Sequence, residues 1–429
     1  MTLSVCCLTS DPGARVAAIL RQLRPVADEI VVAVDSRLDP DRLGRYAEVA
    51  DILLRFEFVD SVEQSVPFIV SHCSGDWILR IDGDEVLNPG LVERLPELTS
   101  ATDVFQYWLP CRWLFPDAEH YLAQPPWHYS SPRLVRNDPA TLWHAGLSHG
   151  RFEPVFPSVR LNEGYYHLTL LVHDLAYREA KVERYLSIAS GHSRRVLEDD
   201  VTAFYLPERD RRFGPDPVAV PARDMAAIAE VLLATGEELP GPPVEEIPMW
   251  DWSASQRVWP RRRLTETAYR GEVGLFEGAL RIHCDQRRPL TVRVENSGTE
   301  LWPGMQREPA IRLSHRWLPS EGVLEGPWRD TYLPAALAPG ASALVPVEVQ
   351  APPTTGTHML ELALSHEDLP SGRVIRRFAF TSLPIEIEPA NQALLERPSP
   401  GTLPDRSRRS AASLIKRVPG GRSWLHREQ

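Results

Sequence analysis

The chain has 429 residues, enough for two or three domains, and its hydrophobic content of 43% is that of an ordinary globular protein. Its formal net charge of −11 gives no support to a nucleic-acid partner. No apolar run reaches the roughly 20 residues that span a bilayer. The five cysteines are scattered without a Cys-x-x-Cys spacing, so we expect reduced thiols rather than disulfides or a zinc site. The chain starts directly with a strand-like stretch, and we expect a soluble cytoplasmic protein.

Strand-like and helix-like segments alternate at the start of the chain. Short apolar runs predict strands over residues 3–8, 29–34, 52–58 and 77–81. Helical spacing of apolar residues predicts helices between them, over residues 14–23, 42–50 and 62–72. This alternation is typical of an α/β fold with a parallel sheet covered on both faces. Ligands of such sheets bind beyond the carboxyl ends of the strands.

Acidic residues stand at those strand ends. Asp11 and Asp35 follow the first two strands, and the stretch RIDGDEVL places Asp82 and Asp84 at the end of the fourth. Because side chains alternate along a strand, the last two carboxylates lie on one side of the chain. Such a pair suits a divalent cation, Mg²⁺ or Mn²⁺, which in turn neutralises a diphosphate. Asp and Gly are also ordinary turn residues, so the prediction rests on several strand ends meeting at one edge.

The amino-acid composition changes after the fourth predicted strand. Residues 104–175 are rich in aromatic residues and histidine, including His149 and His167, which suit a sugar pocket but equally a core with satisfied polar edges. The charged spacing of residues 176–197 predicts a solvated helix that closes the domain, and residues 222–238 predict an amphipathic helix.

The C-terminal half predicts three further regions. We expect a helical, proline-rich linker over residues 199–265, after a first domain over residues 1–198. Short alternating runs over residues 266–390 predict an antiparallel β-sandwich, in which Trp302, Trp317 and Trp328 anchor the two sheets or stack on sugar. Residues 391–429 predict a disordered basic tail, either solvated or in peripheral contact with anionic lipid at the inner face of the membrane.

Five motifs then establish a family resemblance. The stretches SVCCLTSDPG, DEIVVAVDS, SGDWILRIDGDEVL, SPRLVRN and YYHLTL occur in the order seen in family 2 glycosyltransferases of the GT-A fold. The chain resembles that family over residues 1–195, and its sandwich resembles Ig-like domains attached to some bacterial members. The resemblance implies metal-dependent, inverting transfer of a sugar from a nucleotide-sugar donor to a hydroxyl of a glycan, lipid-linked or small-molecule acceptor.

The same resemblance implies roles for individual residues. It implies that Thr9, Asp11, Asp35 and Asp82 contact the nucleotide-sugar. It implies a metal site formed by Asp82, Asp84 and His167.

Two positions depart from the family pattern. Many relatives have Asn-Glu after the first strand, where this chain has Ser10-Asp11. Relatives also place a glutamate, a plausible catalytic base, where this chain has Gly150. The base then falls to His149 or Glu153.

Three other readings stay open. A GT-A protein that has lost catalysis would act as a glycan-binding module, and Gly150 favours this. The chain would alternatively serve as a scaffold in a cell-envelope complex. A nucleotidyltransferase would also hold Mg²⁺ after a strand, but it usually has a glycine-rich basic loop, and residues 9–15 offer only Gly13 and Arg15.

Overall fold

A computed structural model of the chain describes residues 1–11, 13–39, 43–56, 65–139, 141–142, 144–145, 151–188, 201–209, 215–234, 264–278, 280–304, 310–319, 326–368 and 373–389. The chain divides into two compact units, with the division between residues 263 and 264.

Four parallel strands form one half of the sheet in the first unit. They are β1 (Leu3–Thr9), β2 (Glu29–Asp35), β3 (Ile52–Phe56) and β4 (Trp77–Asp82), side by side in the order β4-β1-β2-β3. Their continuous apolar sequences fit strands buried on both faces. The predicted parallel α/β sheet is confirmed.

Three helices connect these strands. They are α1 (Gly13–Leu23), α2 (Gly44–Ala47) and α3 (Val66–Val70). The last two are shorter than predicted, and the predicted positions 42 and 62–64 lie outside the described residues. Alternation along β1 shows how the helices cover both faces. Leu3, Val5 and Cys7 belong to one apolar core, whereas Cys6 and Leu8 belong to the other.

The other half of the sheet contains mostly antiparallel strands. Its central strands β6 (Gln106–Leu114) and β8 (His128–Arg136) pair antiparallel, and β8 also pairs antiparallel with β4. Among the described residues the whole sheet has eleven strands. The remaining strands of this unit, some of them outside this sheet, are β5 (Glu85–Leu87), β7 (His120–Leu122), β9 (His144–Ala145), β10 (Arg151–Phe152), β11 (Val155–Phe156), β12 (Ser158–Arg160), β13 (Tyr165–His167) and β14 (Pro217–Ala219).

The first unit also contains the helices α4 (Pro89–Ser100), α5 (Thr169–Val172), α6 (Leu175–Ile188) and α7 (Ala222–Leu233). Helix α7 lies beyond the domain boundary predicted at residue 198, yet it belongs to this unit. The reason is Asp224, which is fully buried and accepts hydrogen bonds from Tyr166 and Asn88, each at 2.6 Å.

The second unit is rich in β-structure and has two sheets among its described residues. One sheet has the order β15-β17-β21 and the other β16-β23-β22-β18-β19. Trp317 Nε1 on β18 donates to the carbonyl of Gln350 on β21 at 2.8 Å, which joins the two sheets. The strands are β15 (Gly271–Glu277), β16 (Arg281–His283), β17 (Arg287–Asn296), β18 (Ile311–Trp317), β19 (Arg329–Tyr332), β20 (Ala336–Leu337), β21 (Ser342–Gln350), β22 (Gly356–Asp368) and β23 (Arg373–Glu388).

Two expectations from composition concern the whole chain. All five cysteines are free thiols, as predicted, and four of them are buried. In the part of the chain that the structure describes, no helix is long and apolar enough to cross a membrane. The tail predicted over residues 391–429 lies outside the described residues.

Candidate functional site

A pocket of about 820 Å³ lies at the carboxyl edge of the parallel strands in the first unit. Three strands end in its wall: β1 with Thr9, β2 with Asp35 and β4 with Asp82. The structure therefore brings together every residue predicted to contact a nucleotide-sugar or a metal: Thr9, Asp11, Asp35, Asp82, Asp84 and His167.

Asp11 is fixed in the loop after β1. Its backbone N–H donates to Thr9 Oγ1 at 2.9 Å, and Arg15 Nη2 of α1 donates to its Oδ1 at 2.8 Å. Burial, and then the charge of Asp84, raises the pKa of Asp11 to about 6. The negative charge of the pocket therefore changes just below neutral pH.

Asp35 is bound by a single arginine. The backbone N–H and Nε of Arg37 donate to Asp35 Oδ1 at 2.9 and 3.0 Å, and Arg37 Nη2 donates to Oδ2 at 2.5 Å. Asp35 is 1% exposed, whereas the Arg37 side chain is 61% exposed and lines the pocket. This forked pair presents an exposed guanidinium, held by a buried carboxylate, to a ligand.

Asp82 is held between two arginines. Arg80 Nη2 donates to its Oδ1 and Arg133 Nη2 donates to its Oδ2, both at 3.3 Å. Burial acts to raise the pKa of this carboxyl, but Arg80 and Arg133 outweigh burial and hold the pKa well below its usual range. Asp82 is therefore a carboxylate whose charge is already balanced by the protein.

Glu85 binds one of these arginines, Arg133, but does not itself line the pocket. Arg133 Nη2 donates to Glu85 Oε1 at 2.5 Å, and the backbone N–H of Asp82 donates to Glu85 Oε2 at 2.9 Å. Burial raises the pKa of Glu85 to about 8, despite the nearby Arg133. Glu85 thus positions both Arg133 and the backbone at Asp82.

Asp84 faces an imidazole. Its Oδ2 lies 3.5 Å from His167 Nδ1, and the His167 ring stacks on Trp113 with centroids 4.2 Å apart. Burial acts to raise the pKa of Asp84, but His167 and Lys181 outweigh burial, and the pKa lies below its ordinary value. Burial also lowers the pKa of His167, which favours the neutral imidazole that binds metals.

This pair would hold a divalent cation as a partial site if the cation takes the place of the Thr169 backbone N–H, which donates to His167 Nδ1 at 3.3 Å. Two ligands about 2.1 Å from one cation and at right angles are about 3 Å apart, close to the separation of Asp84 and His167. The predicted set of three ligands does not form, because Asp82 is turned to the arginines. Among the described residues no three His, Cys, Asp or Glu side chains are close enough to hold a metal. Mg²⁺ is commonly held by one or two protein ligands, with substrate phosphates and water completing its shell.

Gly83 is required by close packing between Asp82 and Asp84. A Cβ atom at this position would lie 2.2 Å from Thr9 Oγ1 and 3.0 Å from Asp11 Oδ2. Only glycine lets the turn after β4 approach the loop after β1 so closely.

Of the two candidate bases, Glu153 is not brought to the pocket. Glu153 is 1% exposed and does not line it. His149 and Gly150 lie outside the described residues.

Several pocket residues escaped the sequence prediction: Arg80, Arg133, His173 and Lys181. The first had a usable signal, since Arg80 and Asp82 are two apart on β4 and share a face. His173 Nε2 lies 3.6 Å from Asp11 Oδ1, across a turn that the sequence pattern does not reveal. Helix α6, predicted to be solvated, lines the pocket with Tyr177, Lys181, Arg184 and Tyr185.

No protein-family model and no curated protein matches the chain. Among solved structures, TarS of S. aureus is 8% identical, with 90% of this chain and 78% of that chain covered and a TM-score of 0.30. Glucosyl-3-phosphoglycerate synthase from Mycobacterium tuberculosis, solved in complex with Mn²⁺, UDP and phosphoglyceric acid, is 16% identical over 34% of this chain and 58% of that chain, with a TM-score of 0.25. The CARDB domain of the PF1109 protein from Pyrococcus furiosus, solved with di-metal ions, is 10% identical over 29% of this chain and 99% of that chain, with a TM-score of 0.19. These TM-scores are too low to establish a shared fold.

Proposed function

We propose that the chain is a metal-dependent glycosyltransferase of the GT-A fold, which transfers a sugar from a nucleotide-sugar to a hydroxyl group. The observation that carries this proposal is the meeting of Asp11, Asp35 and Asp84 in one pocket, with Asp84 facing a neutral imidazole at 3.5 Å. Carboxylates that follow three different parallel strands would bind a ligand at the edge where α/β sheets bind nucleotides.

The nucleoside of the donor would lie against the ends of β1 and β2. Asp35 would accept a hydrogen bond from the ribose or the base in place of one that it now accepts from Arg37. Thr9 and Asp11 would line the adjacent loop. Asp82, already neutralised by Arg80 and Arg133, would hold these arginines at the donor rather than ligate the metal.

Asp84 and His167 would hold Mg²⁺ or Mn²⁺, with the remaining positions left for diphosphate oxygens and water. A cation bound there supplies charge stabilisation to the departing diphosphate. Trp113 stacks on the His167 ring and supports it beside Asp84.

The acceptor hydroxyl would attack the anomeric carbon as the bond to the diphosphate breaks, which inverts that carbon. Tyr129, Phe204 and Tyr205 line the pocket and offer rings on which a sugar stacks. The attacking hydroxyl loses its proton to a base, and His149 is the candidate that we retain, since Glu153 has no access to the pocket.

A second function has one observation in its favour. Glu153 is buried away from the pocket, and Gly150 replaces the glutamate expected beside it. A nucleotide-sugar-binding module without transfer would need no base. The second unit, which we infer to be an Ig-like sandwich, would then serve as the glycan-binding or scaffolding part.

Thermal unfolding with added nucleotides tests the proposal. We expect UDP, GDP, dTDP or CMP to raise the unfolding temperature of the protein by roughly 2–4 °C at about 100 times its Kd, and only with Mn²⁺. The shift is expected to vanish in Asp84→Asn, because one metal ligand is lost. No shift with any nucleotide would reject the donor site.

A matched control comes from the same strand. Asp76 precedes β4 at its other end, where it accepts a hydrogen bond from the backbone N–H of Thr2 at 2.7 Å. Asp76→Asn is expected to keep the Mn²⁺-dependent shift. The release of nucleoside diphosphate from a nucleotide-sugar is then measured in the presence of acceptors. A transferase releases it, whereas a binding module does not.

A further inference from the structure

The chain almost never uses lysine. Of its 47 basic residues only two are lysines, Lys181 and Lys416, and the rest are arginines. Arginine offers a planar fork of five donors, whereas lysine offers one compact ammonium on a flexible stem. A lysine within the pocket of such a chain indicates a position where a point charge is suited and a guanidinium is not.

Lys181 reaches the pocket from one face of α6. Tyr177, Lys181 and Tyr185 are spaced by four residues, so their side chains follow one another along the helix, and all three line the pocket. The Lys181 ammonium lies 4.7 Å from the centroid of the Tyr205 ring. The Tyr205 ring therefore forms a cation–π contact with the ammonium inside the pocket.

Lys181 has no charged partner of its own. Within the ranges that the structure describes, it makes no hydrogen bond or ion pair, although Asp84 and Asp11 line the same pocket. Burial acts to lower the pKa of Lys181, but the charges of Tyr185 and Asp84 outweigh burial and raise it, so the side chain stays an ammonium. The pocket thus contains one lysine cation that makes no ion pair with Asp84 or Asp11, although both line the same pocket.

We propose that Lys181 is a direct ligand of the donor diphosphate, and that it stabilises this group as it leaves. This inference rests on the proposed function. A diphosphate gains one negative charge when its bond to the sugar breaks, and an ammonium already in place needs no rearrangement to meet that charge. Asp84 and His167 would act through the metal, whereas Lys181 would act on the phosphate oxygens directly.

Calorimetric titration of the full chain with a nucleoside diphosphate tests this. The probe is the nucleoside diphosphate that gives the largest thermal shift, compared with its parent nucleoside. Lys181→Met is expected to weaken binding of the diphosphate in the presence of Mn²⁺ roughly ten- to a hundredfold, as for a lost charged hydrogen bond. Binding of the nucleoside is expected to stay unchanged. Equal affinities of Lys181→Met and wild type for the diphosphate would overturn the proposal.

Two further variants separate a specific contact from net charge. Lys181→Arg keeps the charge and should restore part of the affinity for the diphosphate. Arg184→Met removes another cation that lines the same pocket, three residues along α6, and should weaken binding less than Lys181→Met. An equal loss in both would show that the diphosphate responds to the total charge of the pocket, and the assignment to Lys181 would be wrong.

Chemical labelling gives a readout that does not depend on activity. The chain carries three primary amines: the N-terminus, Lys181 and Lys416. Pyridoxal 5′-phosphate forms an imine with an amine and releases water, and borohydride then reduces the imine so that mass spectrometry finds the labelled peptide. We expect label on Lys181 that excess nucleoside diphosphate suppresses and nucleoside does not. Unprotected Lys181 in a protein that binds the nucleotide would refute this inference alone, whereas absence of nucleotide binding would refute the proposed function.

Discussion

The two units bury charge in opposite ways. In the described residues, every buried aspartate, glutamate and arginine belongs to the first unit: Arg15, Asp35, Arg80, Asp84, Glu85, Arg133, Glu153, Arg178 and Asp224. The buried polar side chains of the second unit are uncharged groups and histidines: Asn296, Ser314, His315, His358, Ser365 and His366. In the described residues of the second unit, the two sheets contain no buried aspartate, glutamate or arginine residue.

This difference shows where charge is needed for more than stability. A buried ion pair often stabilises a fold no better than apolar residues of the same size. In the first unit Asp35, Arg80, Asp84 and Arg133 nevertheless line one pocket, and Glu85 supports it from below. We infer that these charges serve the ligand that the pocket binds. Removing one of them leaves its partner buried without an opposite charge.

The largest expected effect on stability is therefore at Arg133. Arg133→Met keeps the size of the side chain but leaves Asp82 and the buried Glu85 without the cation that both carboxyls share. We expect the free energy of unfolding to fall by about 3–5 kcal/mol in urea titrations at pH 8.

The loss in Arg133→Met should depend on pH. A carboxyl whose pKa is higher in the folded than in the unfolded protein stabilises the fold most at pH values below its unfolded pKa. This stability is lost as the pH rises through the folded pKa, which is about 8 for Glu85. Without Arg133 the pKa of Glu85 rises further, so the loss should be smaller at pH 5 than at pH 9. Arg133→Met combined with Glu85→Gln should recover part of the stability. A loss that is the same at both pH values would contradict the buried carboxylate as its cause.

An intermediate effect is expected in the second unit, at His315. This side chain is 5% exposed, and its Nδ1 is buried without a hydrogen-bond partner among the described residues. Burial, helped by Arg329, lowers its pKa to about 4. The neutral form is favoured in the fold, so this contribution is complete above pH 6.5 and is lost as the pH falls through about 4.

The difference between wild type and His315→Leu measures this contribution. The shift in pKa from 6.5 to about 4 corresponds to about 3 kcal/mol, by which wild type should lose more stability than the variant between pH 7 and pH 4. Urea unfolding at each pH gives both curves. Parallel curves would mean that His315 takes up its proton in the fold as easily as in the unfolded chain.

The sequence was sufficient to predict the parallel sheet and the edge that carries the site. The apolar runs of β1, β2 and β4 are continuous, and continuous runs between helices determine both strand type and strand ends. The short helices α2 and α3 were predicted too long, because apolar spacing does not show where a loop begins. The packing of α7 into the first unit depends on Asp224, whose partners Tyr166 and Asn88 are distant in sequence.

The site itself was predicted only in part. Asp11, Asp35 and Asp84 were found because their position after a strand determines where they lie. Asp82 was assigned to the metal because the pattern Asp-x-Asp says nothing of Arg133, which reaches it from β8. Lys181 was assigned to solvent, because a helix with mixed charges is usually a surface helix and only the tertiary fold turns one face toward the pocket.

The smallest expected effect is at a surface pair of the second unit, and it completes the contrast with Arg133. Arg287 Nη1 lies 3.3 Å from Glu348 Oε1, but the two side chains are 69% and 65% exposed. Water already solvates both charges, so Arg287→Ala should change the free energy of unfolding by less than about 1 kcal/mol, and less still at high salt. Urea titrations of Arg287→Ala and Arg133→Met under the same conditions compare one residue type in two environments. If Arg287→Ala were as damaging as Arg133→Met, burial would not explain the cost of losing an arginine. The inference that the buried charges of the pocket serve a ligand would then lose its support.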